Sequence, residues 1–408
     1  ILMVKPGYKQ TEVGVIPEDW EVTSIEEIAS IRNSRMNPMR EESHFCIELE
    51  NISQGTGRLI GFTDTRGAAS IKNRFECGDV LFGKLRSYLR KYWHANQEGV
   101  CSTEIWVLDA IEQKCIGSYL YQLVQTDGFI NASCEAYGTH MPRSDWAAVR
   151  AYKVSLPSTI VEQEAIARAL SDVDALIESL ERLIAKKRDI KRAAMQELLT
   201  GKKRLPGFEG EWIKRRLGDL GGFSKGSGVK KDESNSGNLP CVRYGEIYTT
   251  HHYCVREFSS WISNEVAEGA TCIRQGDILF AGSGETKEEI GKCVALVGSE
   301  EAFAGGDIII LRPKNVSSVF LGYYLNTPPI NRQKASLGQG DAIVHISSAA
   351  LASIEISIPE SAEEQNTIAE ILTDMELEIA TLEEKLSKVQ YIKQGMMQEL
   401  LTGRIRLV

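Results

Sequence analysis

Between Arg66 and Trp93 the chain reads RGAASIKNRFECGDVLFGKLRSYLRKYW, with seven Lys or Arg against two acids and aromatic rings interleaved among them. Lysine and arginine meet phosphates, and arginine also meets the acceptor edge of guanine. Lys84, Arg86, Arg90 and Lys91 are the candidate cations of this stretch, with Tyr88 and Tyr92 beside them to pack on sugar or phosphate. The competing reading of the same pattern is an amphipathic helix with a solvated basic face. A softer version of this chemistry follows: Lys225, Lys230 and Lys231 in SKGSGVKK, a Gly-Ser loop able to track a backbone, and Arg243, Tyr244 and Tyr248 in VRYGEIYTTHHY. Two further stretches, YGTHMPRSDW and LGQGDAIVHIS, occupy similar places ahead of two helical segments. They offer His140, Arg143, Gln339 and His345, all able to hydrogen-bond base edges.

Other motifs fail on their chemistry. GDVLFGKL at 78–85 has the first spacings of a phosphate-binding loop, but Leu85 stands where a metal-holding hydroxyl is needed, and DVLF is too bulky for such a cradle. NTPPI at 326–330 resembles the motif that grips a flipped adenine, yet Thr327 interrupts it and Ile330 replaces the stacking ring; it reads as a turn after the helix VFLGYYL. His251, His252 and Cys254 have no second ligand pair at zinc spacing and read as an exposed loop. The nine Cys form no CxxC pair, sit mostly in apolar runs, and read as reduced filler. No catalytic residue and no metal site emerges.

The net charge of -9 argues against nucleic acid only until its distribution is considered. Residues 358–385 hold nine Asp or Glu and one Lys, so the rest of the chain is close to neutral and free to carry local basic faces. The opening ILMV before Lys5 is far short of a signal peptide, and no run approaches a membrane span, so a cytoplasmic location is expected.

What must position these residues is a duplication. A shift of 202 aligns 154–205 with 356–407 without a gap, and about 23 of the 52 pairs are identical, including MQELLTG at 195–201 and 397–403. Weaker echoes, EDW with GEW and CGDVLF with QGDILF, extend it to the whole half-chain. In the second copy Ile368, Leu372, Met375, Ile379, Leu382, Leu386, Val389, Met396 and Leu400 alternate steps of three and four, broken only by Lys393: a coiled-coil seam. The first copy keeps the phase through Ile166, Leu170, Val173, Ile177, Leu180 and Ile184, then meets Lys187 and Lys191 before Ala194 and Leu198. Gly201 and Gly403 close the two helices. Antiparallel pairing sets Lys186, Lys187 and Arg188 beside Asp374, Glu376 and Glu378, whereas parallel pairing sets acid against acid, so antiparallel is predicted. The remaining segments carry short β-rich runs such as HFCIELENI, EIWVLDA, KCVALVG and DIIILRP between Gly and polar turns. The expected fold is α+β with an internal pseudo-twofold repeat: globules at 1–155 and 206–357, long spacer helices within 156–205 and 358–408.

YKQTEVGVIPEDWEV, the LP...EQ.AIA..L entry to each helix and MQELLTGKKRLPGFEGEW together resemble the DNA-specificity subunit of type I restriction-modification enzymes, over the full length. The resemblance implies two target-recognition domains, each reading half of a bipartite DNA sequence, with helices that fix the gap and dock two modification subunits. It implies that methylation and cleavage, with S-adenosylmethionine, ATP and Mg, belong to those partners and to restriction subunits. It places the partner interface at the helices and their ends, where this chain has Met195, Leu198, Leu199, Met397, Leu400 and Leu401. The alternatives are a protein-only coiled-coil scaffold and a fused DNA methyltransferase.

Overall fold

The computed structural model describes residues 5–40, 44–66, 68–134, 142–340 and 342–407. The chain divides into two compact units, Ile1–Glu181 with Glu384–Val408, and Arg182–Glu383. Two helices of 39 residues, Ile160–Leu198 and Ala362–Leu400, each contribute to both units.

In the first unit an antiparallel sheet runs in the order Tyr92–His94, Val80–Gly83, Ile105–Ala110, Ala29–Ile31, with Val107 opposite Leu81. A second sheet carries Arg35–Met36, Lys72–Phe75, Gly99–Ser102, Phe45–Ile47 and Thr63–Asp64, with one parallel pair. The second unit repeats the plan: Gly221–Lys225, Ile308–Pro313, Ile278–Ala281, Cys293–Leu296 and Cys254–Val255 form one sheet, and Ser260–Ile262, Leu239–Val242, Ala302–Ala304 and Thr271–Ile273 the other. Each globule is closed where its entry and exit strands pair, Glu21–Ser24 with Lys153–Leu156 and Trp212–Arg216 with Glu355–Pro359. Runs such as Ile308 to Leu311 are fully buried, which is why they read as continuous apolar strands.

The basic segment 66–93 is therefore not a helix. It forms strands Lys72–Phe75 and Val80–Gly83, a 3-10 turn at Ser87–Leu89 and strand Tyr92–His94, because Val80, Leu81, Phe82, Tyr92 and Trp93 are all core residues. Tyr92 is buried and so cannot pack on a sugar. NTPPI opens a new helix, Pro328–Leu337, with Thr327 at its N-cap and prolines in the first turn, where their missing N–H is harmless. His251 and Cys254 are buried rather than in an exposed loop; the His251 ring lies 4.0 Å from Glu246.

In each unit the helix halves pack antiparallel. Ile166 and Leu170 share the first unit's core with Leu400 and Leu401, and Ile368 and Leu372 share the second unit's with Leu198 and Leu199. The lysines that break the seam are paired across it. Lys393 reaches Asp174 at 2.7 Å in the first unit, and Lys191 reaches Glu376 at 3.2 Å in the second. These are the same pair twice, since both partners are shifted by the repeat offset. Lys187 to Glu378 (2.6 Å) and Arg188 to Glu383 (2.5 Å) add to the second unit.

The helix ends are fastened the same way. Arg406 forks onto Glu162 and onto Asp19, with Nη2 at 2.8 Å from Glu162 Oε2, and the Trp20 indole N–H donates to the same oxygen at 3.1 Å. In the second unit Arg204 forks onto Glu364 at 2.6 and 2.7 Å. Gly403 and Gly201, both left-handed, let the chain turn against Trp20 and Trp212; a side chain at 403 would press within 2.5 Å of Pro17. Glu162 and Glu364 are each 1% exposed, and a buried carboxylate that loses its partner is strongly destabilising. Arg406→Ala should therefore cost about 3 to 5 kcal/mol in the first unit, and Arg204→Ala a similar amount in the second. Chemical denaturation followed by a probe in each unit checks this; equal midpoints for variant and wild type would contradict it.

Candidate nucleic-acid interface

The first unit's sheet ends in a cluster of loops. After Val80–Gly83 the chain enters Lys84, whose N–H donates to the Glu104 carbonyl (3.0 Å), while Ser144 N–H donates to the Lys84 carbonyl (2.9 Å). Arg86 N–H donates to the Pro142 carbonyl (2.9 Å), and Leu85 bridges Arg143, so residues 142–144 lie antiparallel to 84–86. Arg86 is held at φ 54 and Arg90 at φ 51, on either side of the Ser87–Leu89 turn. Left-handed backbone is disfavoured for side chains of this size, and such positions cluster at functional sites. Arg86 and Tyr88 are exposed and Lys84 is half-buried. Arg143 is exposed too, with Nε on Glu104 Oε2 at 2.9 Å; that carboxylate holds the guanidinium above the ordinary arginine range.

The second unit builds the same edge. After Ile278–Ala281, Gly282 N–H donates to the Asp307 carbonyl (2.7 Å), and Ile346 N–H donates to the Gly282 carbonyl (3.0 Å). Ser283 then pairs with His345, and the Ser283 hydroxyl lies 2.9 Å from His345 Nδ1. Gln339 and His345 exchange two backbone bonds that close the loop. Lys225, Asp307 and His345 line a cavity of about 370 Å³ here with Ser347 and Ser348. Lys84 thus corresponds to Gly282, Glu104 to Asp307, and Arg143 to His345.

Lys84, Arg86, Tyr88 and Arg143 are therefore gathered in one unit, and Lys225 and His345 in the other. Lys230 and Lys231 are exposed near Val229, itself at φ 50, but Lys230 lines a separate hollow with Glu233 and Glu265. Other predicted cations are committed elsewhere. Arg90 pairs with Asp127 in a cleft it shares with Lys393, and Lys91 Nζ donates to the Leu49 carbonyl at 2.6 Å. Arg243, the N-cap of the helix Tyr244–Thr249, binds Glu246 of its first turn through Nε at 3.0 Å. His140 lies outside the described residues. Met195 and Met397 are half-buried, whereas Leu198, Leu199, Leu400 and Leu401 are buried in their own unit's core. Sequence reasoning missed Glu104, Asp307 and Ser283. Glu104 and Asp307 each immediately precede a strand that the repeat copies, in EIWVLDA and DIIILRP, which was the available signal.

Comparison with known proteins then decides the family: a model described as the type I restriction modification DNA specificity domain matches twice, at residues 17–186 and 209–391. The chain belongs to the type I restriction-modification DNA specificity family. It is 23% identical, over 98% of its length and 97% of the relative's, to a putative type I restriction enzyme MjaX specificity subunit of Methanocaldococcus jannaschii. It is also 23% identical to the Type I restriction enzyme EcoDI specificity subunit of Escherichia coli, over 43% of this chain and 40% of that one. Its fold is similar to the crystal structure of a type I restriction-modification system S subunit from M. genitalium, with a TM-score of 0.62, 16% identity and 98% of both chains covered. The family is one of DNA specificity. Among the described residues no group of three or more His, Cys, Asp or Glu could hold a metal ion, and no helix is long and apolar enough to cross a membrane.

A phosphate-neutralising role for Lys84 and Arg86 predicts that Lys84→Ala and Arg86→Ala in the assembled complex each lower the slope of log affinity against log salt by about 0.9. Lys91→Ala should leave that slope unchanged, because its ammonium is tied to Leu49. Binding isotherms across a salt series check both; equal slopes for all three variants would contradict the assignment.

Proposed function

We propose that this chain is the non-catalytic specificity subunit of a type I restriction-modification complex in which each unit reads one half of a bipartite double-stranded DNA site. The observation that carries this reading is the duplicated loop edge, with the same backbone bonds at Lys84, Glu104 and Ser144 as at Gly282, Asp307 and Ile346. A scaffold that bound only proteins has no need of two such edges carrying exposed cations and base-reading donors. Lys225 in the second unit and Lys84, Arg86 and Tyr88 in the first hold the duplex, with Arg143 and His345 beside them.

The long helices set the gap between half-sites and dock two modification subunits. Met195 and Met397 at the helix ends are half-buried against the unit cores, whereas Leu183 and Ile190 in one unit and Tyr391 and Ile392 in the other are exposed apolar side chains on the helix surfaces. Methylation and cleavage, with S-adenosylmethionine, ATP and Mg, reside in modification and restriction subunits.

Adding one heptad after Glu181 and another after Glu383 falls at the boundary between the units and leaves each intact. It lengthens both helices by about 10 Å, or roughly three base pairs. Mapping methylated adenines should show both half-sites retained and the gap longer by about that amount. Retention of the original gap in an assembled complex would sink the spacing role.

A further inference from the structure

Arg143 and His345 stand 202 residues apart, the offset of the repeat, and occupy the same place in the two units. Each is paired antiparallel with the second residue after the sheet strand, Leu85 or Ser283. Each lies two residues before a helix cap, Asp145 accepting from Ala147 N–H and Ser347 from Ala350 N–H. Both are exposed, and each is pinned through one nitrogen by a neighbouring side chain: Arg143 Nε by Glu104 and His345 Nδ1 by Ser283, at 2.9 Å in both cases.

Pinning is what separates two kinds of DNA contact. A phosphate needs charge and reach, which a loose lysine supplies. A base edge needs a planar donor held in one orientation, and a bidentate arginine on guanine O6 and N7 is the commonest such contact. A guanidinium already beside a carboxylate is a poor phosphate ligand, since much of its charge is compensated. Its plane is nevertheless fixed, and the terminal nitrogens stay available. His345, held at Nδ1 by the buried Ser283, presents Nε2.

We propose that Arg143 and His345 are the base-reading residues of the two units, Arg143 taking the O6 and N7 acceptors of a guanine in one half-site and His345 donating through Nε2 to a purine N7 in the other. This rests on the DNA-reading function above. Lys84, Arg86 and Lys225 then hold the backbone without reading sequence, and Glu104 and Ser283 act as positioning residues.

The test uses the full chain assembled with its modification subunits and maps methylated sites alongside binding to site variants across a salt series. Arg143→Ala should reduce discrimination at one guanine of one half-site about ten- to a hundredfold, leave the other half-site intact and leave the salt slope unchanged. Arg143→Lys, which keeps the charge but not the fork, should relax the same position. Glu104→Gln should relax it partly. His345→Ala should relax one purine of the opposite half-site. Lys84→Ala is the contrast, with an unchanged motif and a shallower slope. An Arg143 variant that keeps every position of the motif, or that behaves as Lys84→Ala does, overturns the proposal while leaving DNA reading standing. A wild-type complex with no sequence preference overturns both.

Discussion

A lysine in a coiled-coil seam has to find an acid on the facing helix. Lys191 and Lys393 occupy seam positions with side chains only 12% and 16% exposed, and a cation so far out of water is tolerated only when paired. The acids at the right height are Glu376 and Asp174, on the other copy's helix, and they are reached only if the two helices run in opposite directions. In the second unit Lys191 is further boxed by the rings of Tyr253 and Tyr323, at 4.6 and 5.6 Å, and Tyr323 donates to Glu376 at 2.7 Å. One charge requirement thus selects direction and register together. It also decides that each unit is built from both repeats: a globule, the near half of one helix and the far half of the other.

Once that pairing exists, the rest follows locally. The Arg–Glu forks at Glu162 and Glu364 seat each helix entry against the end of the other helix, and the strand pairs 21–24 with 153–156 and 212–216 with 355–359 close each globule above it. The sheets so fixed are rigid supports for loops at their far edge, which is where a reading surface can vary without disturbing the core. The left-handed Arg86 and Asp307 fall in these loop regions.

Much of this was legible in the sequence because repeats, heptads and charge complementarity are local patterns that survive without tertiary information. The two helices, their direction, the β-rich runs and the similar placement of Arg143 and His345 all came from such patterns. The basic segment at 66–93 was harder. Its cations suggested a solvated helix, but Val80–Phe82 and Tyr92–Trp93 alternate with them as strands, so Arg90 and Lys91 are drawn toward Asp127 and Leu49 while Lys84 and Arg86 stay at the edge. His251 misled for a related reason: in a chain trace it neighbours polar residues, whereas in space it lies under Glu246. Glu104 and Ser283 were harder to see because the side chains they touch, Arg143 and His345, lie 39 and 62 positions away.

Independent reading of DNA by the two units is open to a segment exchange. Replacing residues 1–155 with the corresponding segment of a relative of different specificity, then mapping methylated adenines made by the assembled complex, tests it most directly. Independent reading predicts that one half-site changes to the donor's, while the other half-site and the gap are kept. An unchanged motif, or simultaneous change of both half-sites, would contradict it.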